Sequence, residues 1–299
     1  MNYDIVIVGG GPGGLSAALA LGRARKKVLV CDAGPRRNAA AVEMHNFVTR
    51  DGIAPQEFRR LAREQLQQYT TVEIRDVSVE RVTGEKNAFT VHLGEGEVTA
   101  RRVLLTTGMI DTRLDLPGIE RHWGHGVVQC PYCHGWESRD RPWGFVLTPQ
   151  TAAHAMPFAM QLLGWSRDVT VFTNGTEIDA DSLAPLQRAG LKLETRKVAR
   201  LSDTEHLEFI ELDGGARVPC ELLFAHPPQK QVPLVTRLGL ALDEHGFVKT
   251  DPMKKETSVP GIYAAGDLCM QMQAAVWAAA NGMVAAAMMN MELSMDVRP

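Results

Sequence analysis

The chain has 299 residues, 45% of them hydrophobic, and a formal net charge of −3. That length can hold two domains with separate cores, and the cations are scattered as short pairs such as Arg101-Arg102, which excludes a nucleic-acid-binding stripe or a charged tail. The start "YDIVIVGGG" carries no basic leader or cleavage pattern, and the Ala-rich run "AAVWAAANGMVAAAMMNM" is interrupted by Asn281, Gly282 and Asn290; it is expected to be a buried helix of a cytoplasmic protein and not a membrane span.

The first elements are a strand at 4–8, the turn Gly9-x-Gly11-x-x-Gly14, a helix from Pro12 to about Arg25, and a strand at 28–31 that runs into Asp32. Gly9 permits the tight turn, Gly11 removes a Cβ that would block a pyrophosphate, and Gly14 lets helix close on strand. The helix N-terminus offers free N–H groups and a partial positive charge to phosphates. Asp32 stands where a carboxylate accepts from ribose hydroxyls, and the ordered set is a dinucleotide-binding fingerprint.

Five cysteines follow: Cys31, Cys130, Cys133, Cys220 and Cys269. Only Cys130 and Cys133, in "QCPYCHGWE", are closely spaced, and the pair could hold half a zinc site, form an inert disulfide or shuttle electrons. Zinc needs a second ligand pair, yet His134 adjoins Cys133 too closely to share a tetrahedral ion with it, and His122 and His125 are a loose pair. No metal is expected. In a reducing compartment an isolated CxxC reads as a redox couple. Cys31, Cys220 and Cys269 are read as small core hydrophobes, with Cys269 nearest a further motif.

Beyond the pair, "PWGFVLTPQTAAHAMPFAMQLLGWSRDVTVFTNG" reads as strand, turn, helix, strand, with the last strand at 169–172. Near the end, "TSVPGIYAAGDL" is a short apolar strand at 261–265 that ends in Gly266-Asp267 and runs into the Ala-rich helix.

With the fingerprint first, CxxC in the middle and TSVPGIYAAGD near the end, the whole chain resembles the low-molecular-weight thioredoxin reductases. "DAGPRRN", "HNFVTRDG" and "CPYCHGWE" are similar to the branch that includes dithiol oxidases of disulfide natural products such as gliotoxin, holomycin and romidepsin. The resemblance implies an α/β protein with two three-layer, Rossmann-like domains. A discontinuous FAD domain would span 1–113 and 228–299, and a smaller NAD(P)H-binding-like domain carrying the CxxC would span 114–227. It implies FAD as cofactor, held by Gly9, Gly11, Pro12, Gly14, Asp32, Ala33, Arg37, Asn38, Asn46, Thr107, Gly108, Gly266, Asp267, Gln273 and Ala274. It also implies a homodimer, with Cys133 as the flavin-facing thiol and Cys130 as the thiol that exchanges with substrate.

Two departures from a thioredoxin reductase matter. Where that family has GxGxxA in its second nucleotide turn, this chain has Leu147 and Pro149 in place of the first two glycines. Leucine adds branched bulk and proline has no N–H to give a phosphate. The stretch "TNGTE" also replaces the arginines that hold a 2′-phosphate, so NADPH is not expected to bind. The second departure is His134, where the family places an acid; an imidazole can take a thiol proton near neutral pH. The resulting expectation is an enzyme, with Cys130, Cys133 and His134 catalytic, that oxidises a small-molecule dithiol to a disulfide and passes the electrons through FAD to dioxygen. A small-molecule disulfide or a thioredoxin-like protein reduced with NADPH or another donor is the alternative substrate, and a flavin-bound redox sensor without turnover is the alternative of another class.

Overall fold

The computed structural model describes every residue except Met1, 35–36, 153–154, 178–183, Gln187 and 297–299; Pro35 and Arg36 of "DAGPRRN" therefore lie outside the described residues. The chain divides into two compact units, one of Met1–Ala39, Phe47–Ile110 and Gln229–Pro299, the other of Ala40–Asn46 and Asp111–Pro228. The sequence boundaries kept 40–46 in the first domain. These residues pack in the second unit, where Ala40 lies against Gly124, His45 stands near Glu137 and Asn46 donates to the Tyr132 carbonyl.

In chain order the first unit opens with β1 (Asn2–Val8), α1 (Pro12–Arg23), β2 (Val28–Cys31), α2 (Pro55–Leu66) and β3 (Val72–Arg75). The meander β4 (Val79–Glu85), β5 (Ala88–Leu93) and β6 (Glu97–Leu105) follows, then the short β7 (Ile110–Asp111). The second unit carries α3 (Ile119–His122), β8 (Val127–Val128), α4 (Pro131–His134), β9 (Trp143–Val146), α5 (Ala155–Leu162), β10 (Val169–Phe172) and β11 (Lys192–Glu194). It ends with β12 (Val198–Leu201), β13 (Phe209–Leu212), β14 (Arg217–Pro219) and β15 (Leu222–Ala225). The chain then completes the first unit with β16 (Gln229–Lys230), α6 (Pro233–Arg237), β17 (Ile262–Ala264) and α7 (Ala275–Met295).

The first unit's sheet has the order β3-β2-β1-β6-β5-β4, with β17 also on β6. β1 is parallel to β2 and β6, β17 is parallel to β6, and the meander is antiparallel. A strand covered on both faces needs an unbroken apolar run, and "IVIV" supplies it. Ile5 and Ile7 enter the core under α1 and α7, while Val6 and Val8 enter the core shared with the meander and α6. Val8 pairs with Cys31 and Leu105, and Leu105 with Ala264. Four strands thus end level, and Gly9, Asp32, Thr106 and Ala265 leave the sheet along one edge.

The expectation of a buried C-terminal helix needs correction. Ala278, Ala285, Ala286, Met289 and Leu293 of α7 pack inward, but Val276, Trp277, Met283 and Met291 are exposed, because only one face lies on α1. There a Cβ on Gly282 would sit 2.0 Å from the Gly13 carbonyl oxygen, so the two helices meet backbone to backbone.

The far end of α7 is held by Arg102, whose side chain is fully buried. Its Nε donates to Glu292 at 3.0 Å, Nη2 to Asp296 at 2.8 Å and Nη1 to Asn87 at 2.6 Å. Glu292 also accepts from Lys86 and Tyr263. Burial opposes ionisation of Glu292, but the hydrogen bonds from Lys86, Tyr263 and Arg102 outweigh it and hold its pKa at about 2. The Glu292 contribution to stability is therefore complete above the ordinary carboxylate range and is lost as pH falls toward about 2. Removing one partner of a buried ion pair strands the others, so Arg102→Met should cost about 3 kcal/mol in urea unfolding at pH 7. A smaller loss for the same substitution at pH 2 would confirm that the carboxylates carry it.

The second unit has an all-parallel sheet, β11-β10-β9-β15-β8, beside the antiparallel β12-β13-β14. Val146 pairs with Phe172 and Ala225, and Phe224 with Val128, so Leu147, Thr173, His226 and Gln129 leave its sheet at the carboxyl edge. The CxxC begins one residue later. Cys31 and Cys220 are buried as expected of core cysteines, and Cys269 is partly so. Among the described residues no helix is long and apolar enough to cross a membrane.

Candidate functional site

Ligand sites in open parallel sheets form outside the carboxyl ends of the strands, and the redox turn stands there. Cys130 caps the one-turn helix α4, with Pro131 at its first position. Gly135 closes the turn: a Cβ there would lie 2.5 Å from the Pro131 carbonyl and 3.1 Å from both Trp143 and Trp165. The two sulfurs are 2.7 Å apart, with the Cys133 thiol donating to Cys130. That hydrogen bond, with help from the Cys133 and Tyr132 N–H groups and against the effect of burial, brings the Cys130 thiol down to about 7. Donating that hydrogen bond, and being buried, pushes the Cys133 thiol up, so it keeps its proton. Cys130 is the more acidic thiol of the pair.

His134 ends the same turn. Its Nδ1 is buried without a hydrogen-bond partner, and burial lowers its pKa below the ordinary histidine value, against the Cys130 and Gly124 carbonyls and Glu137, which raise it. Burial thus favours the uncharged ring, whose lone pair can accept a proton. Asn46, expected among the flavin-binding residues, donates from Nδ2 to the Tyr132 carbonyl at 2.8 Å. Among the described residues no cluster of His, Cys, Asp or Glu could hold a metal ion.

In the first unit the three fingerprint glycines separate by what surrounds them. A Cβ on Gly9 (φ +113°) would lie 2.4 Å from the Thr106 carbonyl oxygen, and one on Gly14 would lie 1.9 Å from that of Gly9; these two glycines serve the protein's own packing. At Gly11 a Cβ would meet no protein atom within 4 Å, so the open space there fits a group from outside the chain. Thr107 has a buried hydroxyl oxygen with no partner, a second sign of a polar ligand. Pro12 opens α1 and Ala274 caps α7, Gly108 has φ +65°, and Ala33 and Asn38 are exposed on the loop after β2.

Arg37, Asp267 and Gln273 come together across some 230 residues of chain. Arg37 Nη1 pairs with Asp267 Oδ2 at 3.0 Å and bonds the Gln273 Oε1, while Gln273 Nε2 donates to the Asp267 carbonyl at 3.2 Å. Gly266 (φ +94°) makes the turn that presents Asp267. Asp32 is engaged by the protein itself: Oδ2 accepts from Arg59 Nε at 2.9 Å and Oδ1 from the Gly34 N–H at 3.2 Å. Sequence reasoning missed Arg59, because no motif links α2 to the end of β2. It also missed Gly10, whose Cβ would clash with Asp32 Oδ2 at 2.3 Å, although the run of three glycines was a visible signal.

The second nucleotide turn follows β9. Leu147 points into the core, 1% exposed. The Thr148 N–H donates to Thr151 Oγ1 at 2.8 Å, and the Thr151 and Ala152 N–H groups both donate to the Thr148 carbonyl at 3.0 Å. Beside the turn lies a crevice of about 600 Å³ lined by Thr148, Pro149, Asn174, Glu177 and Lys197 among others.

Two sheets, each with strand-turn-helix units at a carboxyl edge, plus a paired thiolate and thiol at one of those edges, define a disulfide oxidoreductase with two dinucleotide-type folds. The chain belongs to the pyridine nucleotide-disulphide oxidoreductase family, whose model matches residues 3–282, and it is an FAD-type flavoenzyme. It is 33% identical to thioredoxin reductase aclD of Aspergillus oryzae, over 98% of this chain and 97% of that protein. It is 30% identical to thioredoxin reductase sirT of Leptosphaeria maculans, over 97% and 94%. Among solved structures, an oxidoreductase from Agrobacterium tumefaciens superposes with a TM-score of 0.91 at 34% identity, covering 99% of this chain and all of that one. HlmI gives the same score and identity over 98% and 93%.

Proposed function

We propose that the protein oxidises a small-molecule dithiol to its disulfide, independently of NADPH. The carrying observation is the second nucleotide turn. The N–H groups that would hold a pyrophosphate are bonded within the Thr148–Thr151 turn, Pro149 has none, and in the crevice beside the turn the carboxylate of Glu177 opposes the charge of Lys197. Electrons must then enter from the thiol side.

In this reading the oxidised Cys130–Cys133 pair is attacked by a substrate thiolate at Cys130. The second substrate thiol resolves the mixed disulfide, so the substrate leaves as a disulfide and the pair is left reduced. His134 takes a thiol proton at its free Nδ1. The Gly9–Gly14 turn, Thr107 and the Arg37–Asp267–Gln273 cluster would hold FAD, which would supply a two-electron acceptor able to return its electrons to dioxygen, with hydrogen peroxide as the product. The pair's asymmetry supports the second of these steps, since Cys130, the lower-pKa thiol, is the better leaving group when the mixed disulfide is resolved.

Anaerobic titration tests this directly. Excess dithiothreitol should bleach the flavin absorbance within the mixing time of a manual experiment, and excess NADPH should leave it unchanged over the same interval. Rapid bleaching by NADPH alone would overturn the reading in favour of a reductase, and a thioredoxin-coupled assay would then identify the product.

A further inference from the structure

We propose that the segment Ala40–Asn46 is a working part of the redox site, bringing His45 to stand with Glu137 as a proton relay behind His134. This rests on the dithiol-oxidation reading and adds two positioning residues to it.

The segment belongs to the CxxC unit although the chain on both sides of it belongs to the other. Three contacts hold it. Gly124, at φ +90°, lies so close to Ala40 that a Cβ would sit 2.7 Å from the Ala40 carbonyl. Asn46 takes φ +64°, a conformation asparagine tolerates, and donates to the carbonyl of Tyr132, the residue just before Cys133. Between these, His45 Nε2 stands 3.7 Å from Glu137 Oε1 and 3.5 Å from Glu43 Oε2. A stretch that only connected two elements would need none of this. A loop held at one end against Gly124 and at the other to the Tyr132 carbonyl of the redox turn, with an imidazole between the two contacts, is placed to act on that turn.

Charged and polar groups of both segments act on His134. The Cys130 and Gly124 carbonyls and the Glu137 carboxylate favour its charged form, while His45 disfavours it. His45 in turn faces Glu43 and Glu137. The proton balance explains why such a chain is useful. Oxidising one dithiol breaks two S–H bonds and forms one S–S bond; its two electrons pass to the cysteine pair, and when Cys130 is left as the thiolate the pair keeps one proton, on Cys133, so the other must leave. When the pair returns to a disulfide, its electron pair and the Cys133 proton would pass to bound flavin. Nδ1 of His134 is buried and can accept the proton that leaves, but a buried imidazolium without a partner is costly. Glu137 and Glu43 are both exposed, so a proton passed from His134 to the His45–Glu137 pair has reached solvent.

Histidine-ring NMR titration of the reduced protein reads the relay without any turnover, with His134→Asn identifying the His134 signal. Glu137→Gln should lower the His134 midpoint and His45→Gln should raise it, each by roughly half a pH unit or more. The pH profile of anaerobic bleaching by dithiothreitol should move in the same directions, with bleaching by dithionite unchanged. A His134 midpoint that stays put in both variants would overturn the relay. Failure of dithiothreitol to bleach the wild-type flavin would sink the oxidase reading, and the titration would still decide whether His45 and Glu137 are coupled to His134.

Discussion

Cys130→Ser is expected to slow dithiol-driven flavin bleaching by on the order of a thousand-fold or more, with the flavin still bound, because the thiolate is the reacting species and a serine hydroxyl does not ionise in this range. The size of the effect follows from the hydrogen bond across the pair. With its pKa at about 7, Cys130 is close to half ionised at neutral pH, against about three per cent for an unperturbed thiol. The companion variant separates the causes. In Cys133→Ala the donor to Cys130 is gone, and burial, which opposes ionisation, remains. Alkylation of reduced Cys130 by iodoacetamide should therefore inflect near pH 7 in the wild type and well above it, in or beyond the ordinary thiol range, in Cys133→Ala. An inflection that does not move would show that the Tyr132 and Cys133 N–H groups alone hold the thiolate.

The second large effect is a contrast between two glycines of one motif. Gly14→Val should fail to fold or should lose several degrees in thermal unfolding, since its Cβ would sit 1.9 Å from the Gly9 carbonyl and neither backbone can yield without breaking the turn. Gly11→Val should leave the flavin-free protein as stable as its parent. Its Cβ meets no protein atom within 4 Å, and its backbone, at φ −81° and ψ −174°, is open to any residue. The cost falls on the ligand: FAD affinity should drop by roughly a hundred-fold as the side chain fills the pyrophosphate's place. Melting of stripped protein and reconstitution with added FAD measure the two quantities separately. Equal FAD affinity in Gly11→Val would place the cofactor elsewhere.

What the residues alone determined is local. The Gly9–Gly14 turn, the apolar run of β1, the one-turn helix starting at Pro131 and the Gly266-Asp267 turn each depend on a few consecutive residues whose backbone needs are strict, so their identity reads directly from order and spacing. The redox pair was legible for the same reason, as a single turn of three residues' spacing brings its sulfurs together. The tertiary structure decided the partners of charged and polar side chains. Nothing near Asp32 in sequence announces Arg59, nothing near Arg37 announces Asp267, and nothing in "HNFVTRDG" shows that Asn46 serves the CxxC turn and leaves His45 beside Glu137. It also decided which face of α7 is buried, because an alanine-rich helix carries too little contrast between its sides to say. Long-range pairs of this kind are set by how loops and helices pack, where many sequences meet one geometry, whereas a tight turn admits almost none but glycine.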